Sequence, residues 1–440
     1  MTAARGRTIV FFPEGAFGPT NNCVGIGEVL RSRGHRVVFI VEESFAGTLA
    51  ARGFEERLMR LAPAPSEPEV PGQFWKDFIH DTAPQFRRPT IDQLASFLEP
   101  TWRALVEGAT YVEPRLRELL DELAPDAIVE DNVVAFPALA GSGRPWVRIV
   151  SCNPAELKDE AVPPVFSGYG DGDRAAWPAF REAYRRTHAD LWAGFAQFVR
   201  ASGGGTLANG PLGPDFITES PWLDLYVYPA ELDYPRAVPL SPTWHRLESC
   251  VRASGPAFEL PAVLAGRDEP LVYLSLGSLG SADVALMQRL IDLLAEAPLR
   301  VIVSLGPQHD QLRLPDAMWG AEFVPQPAIL PLVDVVITHG GNNTVTECLH
   351  HGKPMVVLPL FWDQYDNGQR IHDRGLGVRL PTYTFPDEAL AAAVMRLHAD
   401  GPLRARLATI AGRLQAAPGT VRAADLIERL AVEQRPVERG

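Results

Sequence analysis

Short apolar runs alternate with amphipathic helical segments in the first half of the chain. Thr8–Phe12 (TIVFF) ends at Pro13, and a glycine-rich loop, EGAFGPTNN, separates it from a helix over about Cys23–Arg33. Arg36–Val41 (RVVFIV) follows that helix. Runs of this kind are typical of buried strands, and strand, loop, helix and strand form a βαβ unit in a parallel sheet. Further strands are predicted at Ala127–Glu130 and Trp146–Val150, and a long helix at 91–124 with a break near Pro114.

A second α/β pattern begins at Leu271–Leu276 (LVYLSL). Its strands are predicted at 300–305, 321–324, 334–338 and 355–358, with helices at 284–295, 343–351, 364–374 and through most of 386–434. The intervening stretch Pro239–Glu269 is rich in proline and alanine and lacks periodicity. The pattern predicts an α/β protein with an N-terminal domain over 1–238, a linker over 239–269, a second domain over 270–418 and a C-terminal segment over 419–440.

Composition and charge narrow the class of protein. The 440 residues are 46% hydrophobic and carry a net charge of −13, which argues against non-specific nucleic-acid binding. No apolar run approaches the ~20 residues that span a bilayer, and MTAARGRTIVFF does not resemble a secretory signal. Cys23, Cys152, Cys250 and Cys348 have no CxxC spacing. We therefore expect no zinc site and a cytoplasmic location.

The stretch Val336–Arg370 carries the strongest candidate chemistry. After a predicted strand, His339-Gly340-Gly341 lets the backbone approach a ligand, and Asn342, Asn343 and Thr344 open a helix. A helix N-terminus offers unpaired N–H donors and a positive dipole, which suit a diphosphate. Glu347 lies one turn further on and can accept two hydrogen bonds from a ribose diol. Taken alone, the same residues are compatible with a capped helix and an incidental acid.

The whole pattern resembles the donor-binding signature of family 1 glycosyltransferases, the UDP-sugar-dependent enzymes of plants, animals and actinomycetes. The matching residues are His-Gly-Gly-x-x-Thr-x-x-Glu from His339, then Pro359 and Asp363-Gln364, with Phe323-Val324-Pro325-Gln326 upstream. The resemblance implies the GT-B fold, in which two Rossmann-like domains with parallel sheets face each other across a cleft. It also implies that the helices near 419–434 pack back on the N-terminal domain.

The resemblance assigns a role to each matching position. Phe323 and Val324 would lie next to the base, Gln326 at the base or ribose, Glu347 at the ribose, and Asp363 and Gln364 at the sugar hydroxyls. His339, Gly341, Asn342, Asn343 and Thr344 would hold the diphosphate, with Gly277 and Ser278 in a second phosphate-contacting loop. No metal or other cofactor is expected, because helix N-termini and His339 would stabilise the leaving group.

The N-terminal loop departs from the resembled family. Counted back from Arg33-Gly34-His35, Pro19 occupies the position of the usual catalytic histidine, and proline cannot titrate. Asp131 matches the aspartate that orients that histidine, although the same residue could simply cap a turn. We expect Asp131 to take the acceptor proton, directly or through a water, with Thr20 and Asn21 positioning the hydroxyl. A carboxylate near pKa ~4 and a phenol near ~10 are mismatched by about 6 units, so acidic acceptors should be favoured.

Aromatic residues in the N-terminal half suggest a large, flat, apolar acceptor. In the resembled family this part of the chain forms the acceptor pocket, which would here include Pro19, Phe74, Trp75, Phe78 and Phe86. Asp171-Gly172-Asp173 matches the metal-binding DxD of a different glycosyltransferase fold, but its glycine-rich setting indicates a solvated turn.

The sequence thus predicts an inverting, metal-independent glycosyltransferase that moves a hexose, glucose in the first instance, from a UDP- or TDP-sugar to a polyketide or phenolic hydroxyl. The loop and composition are similar to actinomycete antibiotic and macrolide glycosyltransferases, and among them to the rifamycin-glycosylating branch. Two alternatives stay open: a non-catalytic nucleotide-sugar-binding partner protein and a nucleotide-sugar epimerase. The pattern contains no indication of oligomeric state.

Overall fold

The computed structural model describes residues 6–64, 81–252 and 255–439. Its strands are β1 Thr8–Pro13, β2 Arg36–Glu42, β3 Glu55–Met59, β4 Ala127–Asp131, β5 Trp146–Val150, β6 Asn209–Gly210, β7 Gly213–Pro214, β8 Leu223–Tyr226, β9 Trp244–Arg246, β10 Leu271–Ser275, β11 Arg300–Ser304, β12 Trp319–Ala321, β13 Val335–Thr338, β14 Met355–Val357 and β15 Gly377–Arg379.

Helices connect the strands in both halves. They are α1 Phe17–Ser32, α2 Thr90–Gln93, α3 Glu99–Leu123, α4 Pro137–Gly141, α5 Trp177–Ala201, α6 Gly277–Gly280, α7 Val284–Ala295, α8 Gln326–Ile329, α9 Asn342–His350, α10 Gln364–Asp373, α11 Asp387–Ala399, α12 Gly401–Ala416 and α13 Gly419–Glu433. A π-helical turn, Leu94–Leu98, joins α2 to α3. Among the described residues no helix is long and apolar enough to cross a membrane.

Two parallel sheets organise the fold. The first has the order β3-β2-β1-β4-β5-β8-β9 and the second the order β12-β11-β10-β13-β14-β15. Strands of the first sheet are buried on both faces because alternate residues enter different cores. Val10 and Phe12 pack in the core that contains α3 and α5, whereas Ile9 and Phe11 pack in the core that contains α1 and α13.

The last helix, α13, packs against one face of the first sheet. Ala423, Ala424, Ile427 and Leu430 of α13 are fully buried against apolar residues of α1, β1 and β2. Arg33 at the end of α1 pairs with Asp425 (2.6 Å) and Glu428 (2.8 Å). Val437 then donates to the backbone oxygen of Trp222 at 2.8 Å.

Several predicted boundaries need correction. Helix α1 begins at Phe17, so Pro19, Thr20 and Asn21 are helical and the loop after β1 is short. Helix α3 runs unbroken through Pro114, whose ring is exposed, so the carbonyl that loses its N–H partner can be hydrated. The range predicted as linker contains β9, an edge strand of the first sheet. Strands β3, β6, β7, β8, β9 and β15 were not predicted, and the strand predicted at 321–324 is β12, Trp319–Ala321.

Candidate active site

The site lies where the strand order of each sheet reverses. Ligands of open α/β sheets bind outside the carboxyl ends of the strands at this reversal. In the first sheet it falls between β1 and β4, and in the second between β10 and β13. Glu14 and Asp131 therefore stand at the first crevice, and Gly277 and His339 at the second.

The imidazole of His339 fits between two glycines. A Cβ on Gly277 would lie 2.8 Å from the ring, and one on Gly341 would lie 2.5 Å from Nε2. Gly277 has φ of 72°, which also favours glycine. Burial lowers the pKa of His339 to about 4, so the ring is neutral at physiological pH and one ring nitrogen can donate a hydrogen bond.

The side chains at the start of α9 contact the N-terminal half of the chain. Asn342 donates to the backbone oxygens of Ser151 (2.8 Å) and Val227 (2.9 Å). Asn343 donates to the backbone oxygen of Gly18 (2.7 Å) and accepts from Asn22 (2.8 Å). The resemblance assigned the diphosphate to the backbone of Gly341–Asn343, and the side chains of Asn342 and Asn343 were expected to be available at the same helix end. Their side chains instead join the two domains, which leaves the backbone N–H groups of the helix end for an anion.

Glu347 on α9 forms a polar cluster with Gln326 and Arg252. Gln326 donates to Glu347 Oε2 (2.6 Å) and to Thr344 Oγ1 (3.3 Å), and Arg252 lies 3.5 Å from Glu347 Oε1. Burial raises the pKa of Glu347, although Arg252 opposes this shift. The structure thus brings together three residues predicted to bind the donor, Gln326, Thr344 and Glu347, and adds Arg252.

Asp363 and Gln364 occupy the start of α10. Asp363 Oδ2 accepts from the backbone N–H of Asn153 (2.8 Å), and Gln364 Oε1 accepts from the N–H groups of Leu360 (3.0 Å) and Phe361 (3.2 Å). Burial raises the pKa of Asp363 to about 7. Asp363 therefore lies at the domain contact, and both predicted sugar-binding residues have part of their polar atoms already paired.

The catalytic candidates of the N-terminal half are more buried than a substrate-contacting group should be. Asp131 is 3% exposed, and Oδ1 accepts from Ser151 Oγ at 2.8 Å. Oδ2 is buried with no hydrogen-bond partner in the described parts of the chain. Burial raises its pKa to about 8, so this carboxyl is largely protonated at pH 7. Thr20 is also buried, and its hydroxyl donates to the backbone oxygen of Glu14 (3.4 Å). Asn21 is half-buried, as is Pro19 in the first turn of α1.

Aromatic rings from both domains meet beside this site. Phe86 packs at 5.0 Å from Phe97 and 5.1 Å from Phe361, and Trp362 lies 5.0 Å from Trp102 and 4.6 Å from Phe166 (ring centroids). Trp362 has φ of 56°, an uncommon value for a bulky residue.

The other predicted site residues are placed as follows. Phe74, Trp75 and Phe78 lie outside the described residues, as does the side chain of Ser278. Phe323 is 62% exposed, and Val324 is half-buried. Asp171–Asp173 forms an exposed 3-10 turn, and no group of three or more possible metal-ligating His, Cys, Asp or Glu residues occurs in the ranges that the structure covers.

Sequence reasoning missed Glu14, Asn153 and Arg252. Glu14 directly follows β1 in the motif FFPEG, and this placement was the available signal. Asn153 donates to Asn367 (2.8 Å) and Tyr228 (3.0 Å) and supports Asp363 through its backbone. Nothing in the sequence pairs Asn153 or Arg252 with residues 75 to 214 positions later.

Solved structures with this architecture show which fold the chain has. The glycosyltransferase of kitacinnamycin superposes with a TM-score of 0.68 and 23% identity over 98% of this chain and 100% of its own. This likeness establishes the GT-B fold, as the sequence predicted. With the sequence matches that follow, the chain is identified as a glycosyltransferase.

Sequence comparisons show which glycosyltransferases the chain is similar to. Residues 288–430 match the family described as "Erythromycin biosynthesis protein CIII-like, C-terminal domain". The demethyllactenocin mycarosyltransferase of Streptomyces fradiae is 25% identical over 96% of this chain and 86% of its own length. The zeaxanthin glucosyltransferase of Pantoea ananas is 24% identical over 94% of each chain. The chain is thus a GT-B glycosyltransferase similar to the antibiotic glycosyltransferases of actinomycetes.

Proposed function

We propose that the protein transfers a hexose from a UDP- or TDP-sugar to a hydroxyl of a large apolar natural product, with inversion at the anomeric carbon. The observation that carries this proposal is the pairing of two crevices. One contains His339, the start of α9 and Glu347, and the other contains the carboxyls at the ends of β1 and β4. A donor in the crevice of His339 would present its sugar to an acceptor in the crevice of Glu14 and Asp131.

On the donor side, the ribose would bind the Glu347 carboxylate, with Gln326 between ribose and base. The diphosphate would bind the backbone N–H groups at the start of α9, the loop at Gly277–Gly280 and the neutral imidazole of His339. The exposed ring of Phe323 is available to lie against the base. These groups compensate the leaving-group charge, so we propose that no metal ion takes part.

On the acceptor side, the hydroxyl would lie over the ends of β1 and β4, near Asp131, Thr20 and Asn21. Within the aromatic cluster around Phe86 and Trp362, the half-buried ring of Trp362 is available to a flat aglycone, whereas Phe86 is 5% exposed and would have to move to contact it. The cysteines of the described residues are all free, which suits the reducing cytoplasm.

The first experiment incubates the protein with UDP-glucose or TDP-glucose and a panel of phenolic and polyketide aglycones, followed by mass spectrometry. We expect a hexose adduct of at least one aglycone, with inverted anomeric configuration by NMR and an unchanged rate in EDTA. Nucleotide binding without any adduct would favour the non-catalytic partner protein. Conversion of the donor alone would favour the epimerase.

Parallel reactions with glucose and deoxysugar donors of each nucleotide would establish the donor. A His339→Ala variant, which should lose most of the activity, serves as the control that the adduct arises at this site. Activity that persists in this variant would contradict the proposed phosphate contact.

A further inference from the structure

Glu14 stands at the mouth of the first crevice. It directly follows β1, and its backbone N–H donates to the backbone oxygen of Asp131 at 2.9 Å. Pro13 pairs with Asp131 in the sheet, so the two carboxyls leave neighbouring strand ends at the point of strand reversal. Glu14 is half-buried, whereas Asp131 is 3% exposed. A group that removes a proton from the substrate must contact it, and Glu14 is the better exposed of the two.

Acidic groups from several elements face Glu14. They are Asp131 on β4, Cys152 and Glu156 after β5, Asp363 before α10 and, beside the adjacent Gly15, Glu42 on β2. The cation of this region, Arg148, is paired with Glu156 at 2.9 Å. Burial raises the pKa of Glu14 to about 7, and the charges of Glu156 and Asp363 add to the shift.

We infer that Glu14 is the general base of the transfer, in contact with the acceptor hydroxyl, and that Asp131 is a positioning residue behind it. The inference rests on the proposed function. In the reaction the acceptor oxygen attacks the anomeric carbon, the bond from that carbon to the diphosphate oxygen breaks, and the bonding electrons leave with the nucleoside diphosphate. The hydroxyl proton moves to the Glu14 carboxylate, which releases it to solvent after the product departs.

This assignment resolves two difficulties of the site. Pro19, at the position of the resembled family's histidine, has no titratable group, and Glu14 supplies one from the preceding loop. A base with a pKa of about 7 also lies about three units below a phenol near ~10, instead of about six for an ordinary carboxylate. The Asp131 carboxyl accepts from Ser151, which follows β5, and is largely protonated at pH 7. Its backbone oxygen accepts from the Glu14 N–H, so Asp131 fixes the end of β1 without competing for the proton.

The test measures kcat/KM for phenols of graded acidity as a function of pH, in the parent and in the Glu14→Gln, Glu14→Asp and Asp131→Asn variants. The parent rate should rise with pH to a plateau, with a midpoint near 7. For a phenol near pKa ~10, Glu14→Gln should lose this rising limb of the pH profile, and its rate should fall about 10²- to 10⁴-fold at unchanged donor KM. With an acceptor that is already ionised at the assay pH, the same variant should lose less than about tenfold, because no proton has to be removed.

The other variants distinguish the role of Glu14 from that of Asp131. Glu14→Asp should keep the rising limb at a reduced rate, and Asp131→Asn should also keep the limb while lowering the rate less than Glu14→Gln does, because Asp131 positions the base without taking the proton. Glu107→Gln, an exposed glutamate on α3, is the charge-matched control and should behave as the parent. A parent with no transfer to any acceptor would overturn the proposed function and Glu14 with it. An active parent whose limb survives in Glu14→Gln but disappears in Asp131→Asn would overturn the assignment to Glu14 alone.

Discussion

Asn342 joins the two domains at the donor helix, and we expect Asn342→Ala to slow transfer without weakening nucleotide binding. Its amide donates to the backbone oxygens of Ser151 (2.8 Å) and Val227 (2.9 Å). These residues follow β5 and β8 of the first sheet, so the bonds exist only while the domains are in contact. The variant should therefore destabilise the arrangement in which the two domains are in contact.

The size of the effect follows from the bonds lost. Each neutral hydrogen bond contributes about 0.5–1.5 kcal/mol net, so the pair stabilises the closed arrangement by about 1–3 kcal/mol. Asn342 Oδ1 is buried without a hydrogen-bond partner among residues 6–64, 81–252 and 255–439, and truncation removes this unfavourable group as well. We therefore take the lowest quarter of the range, about 1–1.5 kcal/mol, which lowers kcat/KM by about 5- to 12-fold.

The assay combines three measurements on the variant. Steady-state transfer gives kcat/KM, titration calorimetry gives the Kd of UDP, and small-angle scattering gives the radius of gyration of the free protein. Asn209→Ala, at an exposed asparagine of β6, is the control. A Kd of UDP raised tenfold or more with an unchanged radius would refute the reasoning. It would show that the Asn342 side chain binds the diphosphate.

Three further predictions concern the donor crevice and the buried acids. Gly341→Ala should displace His339, since the added Cβ would lie 2.5 Å from Nε2, and should raise the Kd of UDP tenfold or more in calorimetry. The control is Gly412→Ala on α12, where a Cβ meets open space and the Kd should not change. Equal Kd values for the two variants would contradict the packing argument. Glu347→Gln should raise the same Kd by about tenfold, because a charged hydrogen bond contributes about 1.5–3 kcal/mol; an unchanged Kd would remove Glu347 from the ribose site. Burial raises the pKa of Glu130 to about 8, so the folded state keeps this proton at pH values where the unfolded state has lost it. The contribution of Glu130 to the free energy of unfolding is therefore complete near pH 4 and is lost as the pH rises toward 8. The loss is about 1.4 kcal/mol per pH unit while the folded state keeps the proton. Denaturant unfolding at pH 5, 6, 7 and 8 should show a smaller decline in Glu130→Gln than in the parent, and identical slopes would contradict a buried neutral Glu130.

The sequence predicted the α/β class and the donor helix well because both depend on local patterns. The strands β10, β11 and β13 are continuous apolar runs, and the predicted helix at 343–351 differs from α9 by one residue at each end. The start of α1 was wrong because Gly18, Pro19 and Asn21 are typical turn residues. Proline is nevertheless tolerated in the first turn of a helix, where its missing N–H would have no partner.

The parts that failed depend on contacts between distant residues. The amides of Asn342 and Asn343 have the composition of a phosphate-binding loop, yet their partners lie 115 to 325 residues earlier in the chain. No periodicity encodes such pairings. The burial of Asp131 is likewise set by elements from several parts of the chain, and a strand pattern cannot distinguish a buried carboxyl from an accessible one.

The packing of α13 on α1 has a consequence for the assembly of the chain. Four residues of α13 are fully buried against the first sheet, although more than 400 residues separate its start from β1. During synthesis the N-terminal domain cannot complete its core until the final segment leaves the ribosome. A hybrid enzyme that exchanges N-terminal domains between relatives must therefore carry the matching last helix, and a cut placed only near residue 250 would leave an apolar face of α1 without its partner.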